Sequence, residues 1–233
     1  MMWVYCLLIN QFMLYFIMEI FISIDGVLRN TIQKFDYHYN DAYLASDFEN
    51  ENKFEYGVVE PIQNDDLFNH YRFQSQDEFD FFLFMEYPIE IFGHAGLSYS
   101  TTFTDLHKLL FDNKEHNFTL VGLNELGKSK PATLFFLSKN GFLGNNIKFI
   151  KTEDINHNWN LCDAWVTDNK KILDLCPENK TGIKFGTKYN GHFTYTKEIT
   201  KLTEIQEPWS KFSENTTTLT LMESQKNVEQ ETK

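Results

Sequence analysis

Hydrophobic residues along the chain recur in short runs that alternate with amphipathic stretches. Residues 20–24 form a β-branched and aromatic run, which predicts a buried parallel strand. After residue 97 the alternation predicts strands over 118–121, 147–150, 163–166 and 182–185, and helices over 101–112, 129–140, 153–162 and 169–175. Strands that alternate with helices build a parallel sheet that is covered by helices on both faces. The pattern therefore predicts an α/β fold with three layers.

The alternation is interrupted once, directly after the first predicted helix. Residues 30–46 place Phe35 and Tyr39 on one face and predict an amphipathic helix. Residues 47–96 are acidic and aromatic, and one helix within them is expected to end before Pro88. The predicted segments are a core (18–46 and 97–205), an insertion (47–96) and a flexible polar tail (206–233).

The first 17 residues are almost uncharged, and together with the first strand they just reach the length of a membrane span. Asn10, Gln11 and Glu19 interrupt this stretch, and no basic residue flanks its start. We interpret residues 1–17 as an apolar extension from a mis-assigned start, because Met18 would open the chain directly on the first strand. A membrane anchor and a buried extra helix or strand are the alternatives.

Composition narrows the classes of partner and compartment. The net charge of −12 argues against binding to a nucleic-acid backbone, which needs a basic surface. Cys6, Cys162 and Cys176 have no CxxC spacing, and the seven histidines are dispersed. We therefore expect free thiols in a reducing compartment, which indicates a cytoplasmic protein that is not secreted. Attachment to a membrane is the less favoured alternative.

The first strand and the turn after it resemble motif I of the haloacid dehalogenase (HAD) superfamily. That motif is an apolar strand followed by Asp, any residue, Asp and Gly. Here Ser23 stands at the place of the nucleophilic aspartate, Asp25 at that of the general acid/base, and Gly26 follows. The resemblance implies a Rossmannoid sheet in which the insertion after the first strand and helix is a cap over the active site. The residues after Leu28 are similar to those of the nucleotidase branch.

Two later stretches resemble the other motifs of the superfamily. Gly122 stands where a Ser or Thr normally binds phosphate, and Lys130, or less favourably Lys128, follows as the lysine that neutralises it. Asp168, after Thr167, occupies the acidic pair that holds Mg²⁺. The resemblance implies that Asp25 and Asp168 are the metal ligands. Because Ser23 adds no charge to them, we expect Mg²⁺ to bind weakly.

The second of these stretches also satisfies the P-loop pattern. Gly122, four residues, Gly127, Lys128 and Ser129 lie between a predicted strand and a predicted helix. Backbone amides there, including that of Leu123, would cradle a phosphate. An acid and bulky groups inside the loop, and a proline early in the helix, argue against it. A P-loop nucleotide-binding protein stays open as an alternative.

The chemistry of the predicted site favours binding over catalysis. Ser23 is neutral at pH 7 and has no adjacent base in sequence, so the attacking carboxylate of the superfamily is missing. We predict a degenerate site with a non-catalytic binding or virion-associated role, and a Mg²⁺-dependent phosphohydrolase of the 5′-nucleotidase type is the alternative. Both acids also have a structural alternative. Asp25 fits the role of a residue that stabilises the turn before Gly26, and Asp168 fits that of the N-cap of the next helix.

Expected partners are a small phosphorylated ligand and other proteins, the latter through the aromatic insertion. The bias toward Asn, Phe, Tyr, Lys and Ile is typical of an AT-rich genome. In this respect the chain is similar to HAD-like proteins of large tailed bacteriophages, including crAss-like gut phages. That similarity implies a location in the host cytoplasm or the virion.

Overall fold

The computed structural model describes residues 17–45, 54–63 and 67–205. The strands in chain order are β1 (Glu19–Ser23), β2 (Arg29–Asn30), β3 (Gly96–Leu97), β4 (Asn117–Leu123), β5 (Ile147–Ile150), β6 (Ala164–Thr167), β7 (Thr181–Phe185) and β8 (Glu198–Ile199). Six of them form one sheet in the order β5-β4-β1-β6-β7-β8, and every neighbouring pair is parallel. The predicted parallel α/β sheet is confirmed.

The α-helices in chain order are α1 (Ile32–Tyr39), α2 (Leu67–His70), α3 (Gln76–Phe81), α4 (Thr102–Asp112), α5 (Ser129–Lys139), α6 (Ile155–Trp159) and α7 (Lys170–Asp174). Wider π-helical turns cover Asn40–Leu44, Phe82–Glu86 and Ile89–Gly93, and 3-10 turns cover Thr152–Asp154 and Leu202–Ile205. Helix α5 ends where predicted, because Gly141 adopts a φ of +82°, a left-handed conformation that favours glycine. The helix predicted over 153–162 is shorter and begins as a 3-10 turn.

Numbered by their place in the chain, the strands of the main sheet run 3-2-1-4-5-6 across it. This is the order of doubly wound α/β sheets, in which the winding direction reverses beside the first strand. Here the reversal lies between β1 and β6, which pair through Ile20↔Ala164 and Ile22↔Val166. The carboxyl ends of these two strands therefore border the crevice where such sheets bind ligands.

Alternating side chains of β1 bury the two faces of the sheet in separate cores. Ile20 and Ile22 belong to a core that includes Leu106 of α4 and Phe136 of α5. Phe21 points to the opposite core, where it packs at 5.4 Å from Trp165, edge to face. The helices on both faces supply the outer layers, as the hydrophobic pattern predicted.

The insertion has its own aromatic core, and α1 contributes to it. Phe35 and Tyr39 are fully buried in a cluster with Tyr71, Phe73 and other rings of the insertion. The apolar face predicted for this helix is present, but it packs on the insertion and not on the main sheet. Strands β2 and β3, which pair antiparallel, lie before α1 and after the insertion in the chain. The bounds of 47–96 stay a prediction.

Two predictions fall wholly or mainly outside the described residues, namely the apolar extension over 1–17 and the polar tail over 206–233. Of the extension, only Ile17 is described, and its side chain is 60% exposed. Within the described ranges, no helix is both long enough and apolar enough to cross a membrane. Cys162 and Cys176 are free thiols, and burial raises the pKa of Cys162 to about 12.

Candidate functional site

A cavity of about 1020 Å³ opens at the carboxyl end of the main sheet. Its floor is polar and contains Ser23 at the end of β1 together with Thr167 and Asp168 at the end of β6. Phe35 of α1 and Phe79 of the insertion, which share one aromatic core, also line the cavity. The cavity therefore lies at the reversal of strand order, between the core and the insertion, and the predicted site residues Ser23, Asp25 and Asp168 all line it.

Ser23 is 7% exposed, and its hydroxyl is held by two side chains of β6. Its Oγ donates to Thr167 Oγ1 at 2.9 Å and accepts from the indole N–H of Trp165 at 3.1 Å. Thr167 Oγ1 also accepts from the backbone N–H of Asn169 at 3.2 Å. None of these partners is a base that could take the serine proton, so the hydroxyl serves to join β1 to β6.

The carboxylate of Asp25 is bound in a bidentate manner by a neighbouring arginine. Arg29 Nε donates to Asp25 Oδ1 at 2.8 Å, and Arg29 Nη2 donates to Oδ2 at 2.9 Å. The turn between them is closed by backbone bonds from Gly26 N–H to Arg29 O and from Arg29 N–H to Ile24 O. The side chain of Asp25 thus holds an arginine, a role that differs from both the acid/base and the plain turn residue.

Arg29 is fully buried, and every N–H of its guanidinium has a protein acceptor. Besides the bonds to Asp25, Nη2 donates to Glu125 Oε1 at 2.6 Å. Nη1 donates to Thr133 Oγ1 at 2.6 Å and to the backbone oxygen of Phe92 at 3.4 Å, and the Phe92 ring lies 4.8 Å from the guanidinium carbon. Burial alone would lower the pKa of Arg29, but the charges of Asp25 and Glu125 raise it above its usual value.

Glu125 is the second acid of this network and is 4% exposed. Its Oε1 accepts from Arg29 and also from the hydroxyl of Thr133 at 2.6 Å. Its Oε2 is buried and has no hydrogen-bond partner among the described residues. A side chain at Gly122 would meet Glu125 Cγ at 3.1 Å and the ring of Phe149 at 2.8 Å, so the glycine leaves the space that Glu125 occupies.

Asp168 lies directly against the turn that carries Asp25. A Cβ at Gly26 would stand 1.8 Å from Asp168 Oδ2, so any side chain there would clash. Gly26 also has a φ of +75°, a left-handed conformation that favours glycine. Asn190, fully buried, donates to the backbone oxygens of Asp168 at 3.2 Å and Phe185 at 2.8 Å. The N-cap of α7 is Asn169, whose Oδ1 accepts from Ile172 N–H at 3.3 Å, so the N-cap role proposed for Asp168 is wrong.

Most of the predicted phosphate-binding residues are not brought to the cavity. Among Gly122, Leu123, Lys128, Ser129 and Lys130, its described lining includes Leu123 alone. Lys130 is exposed, and its ammonium lies 5.6 Å from the centre of the Phe149 ring. The backbone N–H of Lys128 donates to Phe84 O, and that of Ser129 donates to Leu126 O. Two amides that a P-loop would direct at phosphate are therefore used within the protein.

The donor set does not fit a tight Mg²⁺ site. Mg²⁺ requires near-octahedral oxygen ligands, commonly with one or two carboxylates free to bind it. Each oxygen of Asp25 accepts a hydrogen bond from Arg29, whose positive charge opposes a cation beside it, and Ser23 is neutral. Among the residues that the structure describes, no group of three or more His, Cys, Asp or Glu side chains is arranged to hold a metal ion. Weak Mg²⁺ binding stays a prediction.

Sequence reasoning found Asp25 and Asp168 but missed the residues that surround them. Asp25 and Arg29 are four residues apart, but they flank a turn and not a helix, so the helical spacing rule gave no signal for their ion pair. In the sequence, Glu125 is the acid that argues against a P-loop, and no pattern predicted that it pairs with an arginine. No pattern pointed to Thr133. A scan against protein-family models gave no match to this chain, and neither did a search of curated proteins.

Proposed function

We propose that this chain is a HAD-like protein that binds a small ligand in the cavity without catalysing phosphoryl transfer. One observation carries the proposal, namely that the groups at the two catalytic positions are both engaged in internal bonds. Ser23 bonds to Thr167 and Trp165, and Asp25 is bound on both oxygens by Arg29. The sheet order and the convergence of Asp25 with Asp168 support the HAD-like assignment.

The internal bonds explain why transfer chemistry is not expected. A serine becomes a nucleophile when a base removes its proton, and the Ser23 proton is directed at a threonine hydroxyl. A general acid must present a proton to the leaving group. Asp25 Oδ1 and Oδ2 instead accept hydrogen bonds from the Arg29 guanidinium at 2.8 and 2.9 Å, so its carboxylate is directed at that side chain.

The walls of the cavity suit binding of a ligand that has both a polar and an apolar part. The floor presents carboxylate, hydroxyl and amide groups of Asp168, Thr167 and Asn169. Apolar rings of the insertion, including Phe79 and Phe92, also line the cavity. A concave site with apolar walls and a few convergent polar groups is the usual form of a small-molecule site.

A neutral fluorescent probe, N-phenyl-1-naphthylamine, tests the binding half of the proposal. Thr31 lines the cavity and makes no side-chain cap bond to α1, so Thr31→Trp should fill the cavity without loss of a cap hydrogen bond. Thr104 is exposed on α4, and Thr104→Trp is the matched control. We expect saturable probe fluorescence in the full-length wild type and in Thr104→Trp, with affinity at least about tenfold weaker in Thr31→Trp.

Equal affinity in all three proteins, with each folded by circular dichroism, would show that the probe binds elsewhere. The cavity would then have no demonstrated ligand capacity, and the proposal would fail on its binding half.

A further inference from the structure

Gly122 and Glu125 together place an acidic side chain at the end of β4. The side chain of Glu125 folds back toward Gly122, where its Cγ would be 3.1 Å from a Cβ, and its carboxylate is held by Arg29 and Thr133. This is the strand end at which the resemblance to the HAD superfamily puts a phosphate-binding hydroxyl. The position therefore holds an anion already, and that anion belongs to the chain itself.

The groups that hold this anion are those that would bind an oxyanion from solution. Arg29 Nη2 and the Thr133 hydroxyl both donate to the same oxygen of Glu125, each at 2.6 Å. A guanidinium and a hydroxyl that converge on one oxygen form a charge-assisted site for a carboxylate or phosphate. The other oxygen of Glu125, Oε2, is buried without a hydrogen-bond partner among the described residues. The site therefore satisfies only one of the two oxygens of this carboxylate.

We propose that Arg29 and Thr133 form a buried oxyanion site that Glu125 fills in the native protein, and that a small carboxylate would take the site if Glu125 were shortened. The inference rests on the proposed function, because this site lies behind the cavity that is proposed to bind the ligand. With Glu125 in place, one guanidinium faces two carboxylates, those of Asp25 and Glu125.

This arrangement sets the specificity of the cavity beside Arg29. A ligand anion entering there would meet a guanidinium whose N–H donors are all used. It would also lie close to the carboxylates of Asp25 and Glu125, which carry the same negative charge as the ligand. Like charges disfavour one another most strongly where water is excluded. The native cavity therefore accepts a ligand whose group at this end is uncharged, and it rejects phosphate there.

Anion rescue of a shortened side chain tests the proposal. The thermal midpoint of full-length Glu125→Ala would be measured in rising sodium acetate, with sodium chloride used to keep the ionic strength constant. We expect the variant to melt below the wild type in chloride and to gain several degrees in acetate, because a ligand that binds only the folded state raises its stability. Glu153, exposed and paired with Lys151 at 3.4 Å, supplies the control Glu153→Ala.

The wild type and Glu153→Ala are expected to show no gain that is specific to acetate. If Glu125→Ala is unfolded in chloride, recovery of its helical circular dichroism in acetate is the same test. Glu125→Gln, which still fills the space, is expected to respond less than Glu125→Ala. Equal responses in Glu125→Ala and Glu153→Ala, or none in either, would overturn the proposal. Probe binding by the wild type does not depend on these variants, so failure here leaves the proposed function separately testable.

Discussion

At the scale of the residue, the site is organised by Arg29, which joins four segments of the chain. Its guanidinium contacts the turn after β1, the end of the insertion, the loop after β4 and helix α5. A buried ion pair is costly to form, but removal of one partner leaves the other charge buried and uncompensated. Loss of Arg29 would therefore destabilise the fold mainly because the carboxylates of Asp25 and Glu125 would lose their positive partner.

We predict that Arg29→Met lowers the free energy of unfolding by about 3–5 kcal/mol, the range for breaking a buried charge pair. Urea denaturation followed by circular dichroism measures the loss. Arg72→Met is the control, because Arg72 makes an exposed pair with Glu55 at 3.7 Å and should lose no more than about 1 kcal/mol. Equal losses in the two variants would show that the Arg29 network does not hold the fold together.

The sequence could predict residues whose position depends on strand order, and it could not predict side-chain pairs that depend on packing. Asp25 and Asp168 follow strands β1 and β6, and adjacent parallel strands bring their carboxyl ends together. Lys130 was predicted from a motif to neutralise a phosphate, and the structure places it on the exposed face of α5, whose residues Ser129 and Thr133 are buried. Glu125 reaches Arg29 across 96 positions, and no local pattern specifies such a pair.

At the scale of the element, the insertion is held together by aromatic rings whose hydroxyls are kept from ionising. Burial raises the pKa of Tyr39, Tyr43 and Tyr71 above the usual value for tyrosine. Burial and a hydrogen bond with Glu78 raise the pKa of Tyr56 to about 12. In an unfolded chain these phenols would titrate near a pKa of about 10. Folding of the insertion therefore favours the protonated phenols.

We predict that the insertion loses stability in alkali. Since the folded pKa values lie above the unfolded ones, the stabilisation is complete below about pH 10 and declines as the pH rises toward the folded values. Ultraviolet absorbance of tyrosinate and near-ultraviolet circular dichroism should change together in one transition above about pH 10. Tyr71→Phe keeps the ring and removes an ionisable hydroxyl that donates to Asp36 at 3.1 Å, so its transition should move to higher pH.

Tyrosinate formation near about pH 10, without any change in circular dichroism, would contradict this account of the insertion. Its aromatic content was read from the sequence as a surface for protein partners. Most of those rings instead fill the core of the insertion or line the cavity, because a segment without a sheet of its own must bury apolar area within itself. Phe81, Met85 and Ile89 stay exposed, and docking through them stays a prediction.

At the scale of the whole molecule, strand order determines where the cavity lies, and the insertion determines its shape. The hydrophobic runs predicted that the main sheet is a parallel α/β sheet. They did not predict strands β2, β3 and β8, because two residues are too few to form a recognisable run. The amphipathic face of α1 was predictable, but its packing in the aromatic core of the insertion was not, because such a face does not reveal which layer it contacts. Ser23 and Asp25, which the resemblance assigns to catalysis, both line the cavity, and their side chains are engaged in internal hydrogen bonds.

The most direct test of that claim is the hydrolysis of an aryl phosphate and of deoxynucleoside monophosphates by the full-length protein with Mg²⁺, beside Ser23→Asp and Asp25→Asn. The account predicts no turnover by the wild type above a heat-denatured sample, because Ser23 lacks a base and Asp25 is bound by Arg29. Mg²⁺-dependent turnover by the wild type that disappears in a folded Asp25→Asn variant would contradict it and would make this protein a phosphohydrolase.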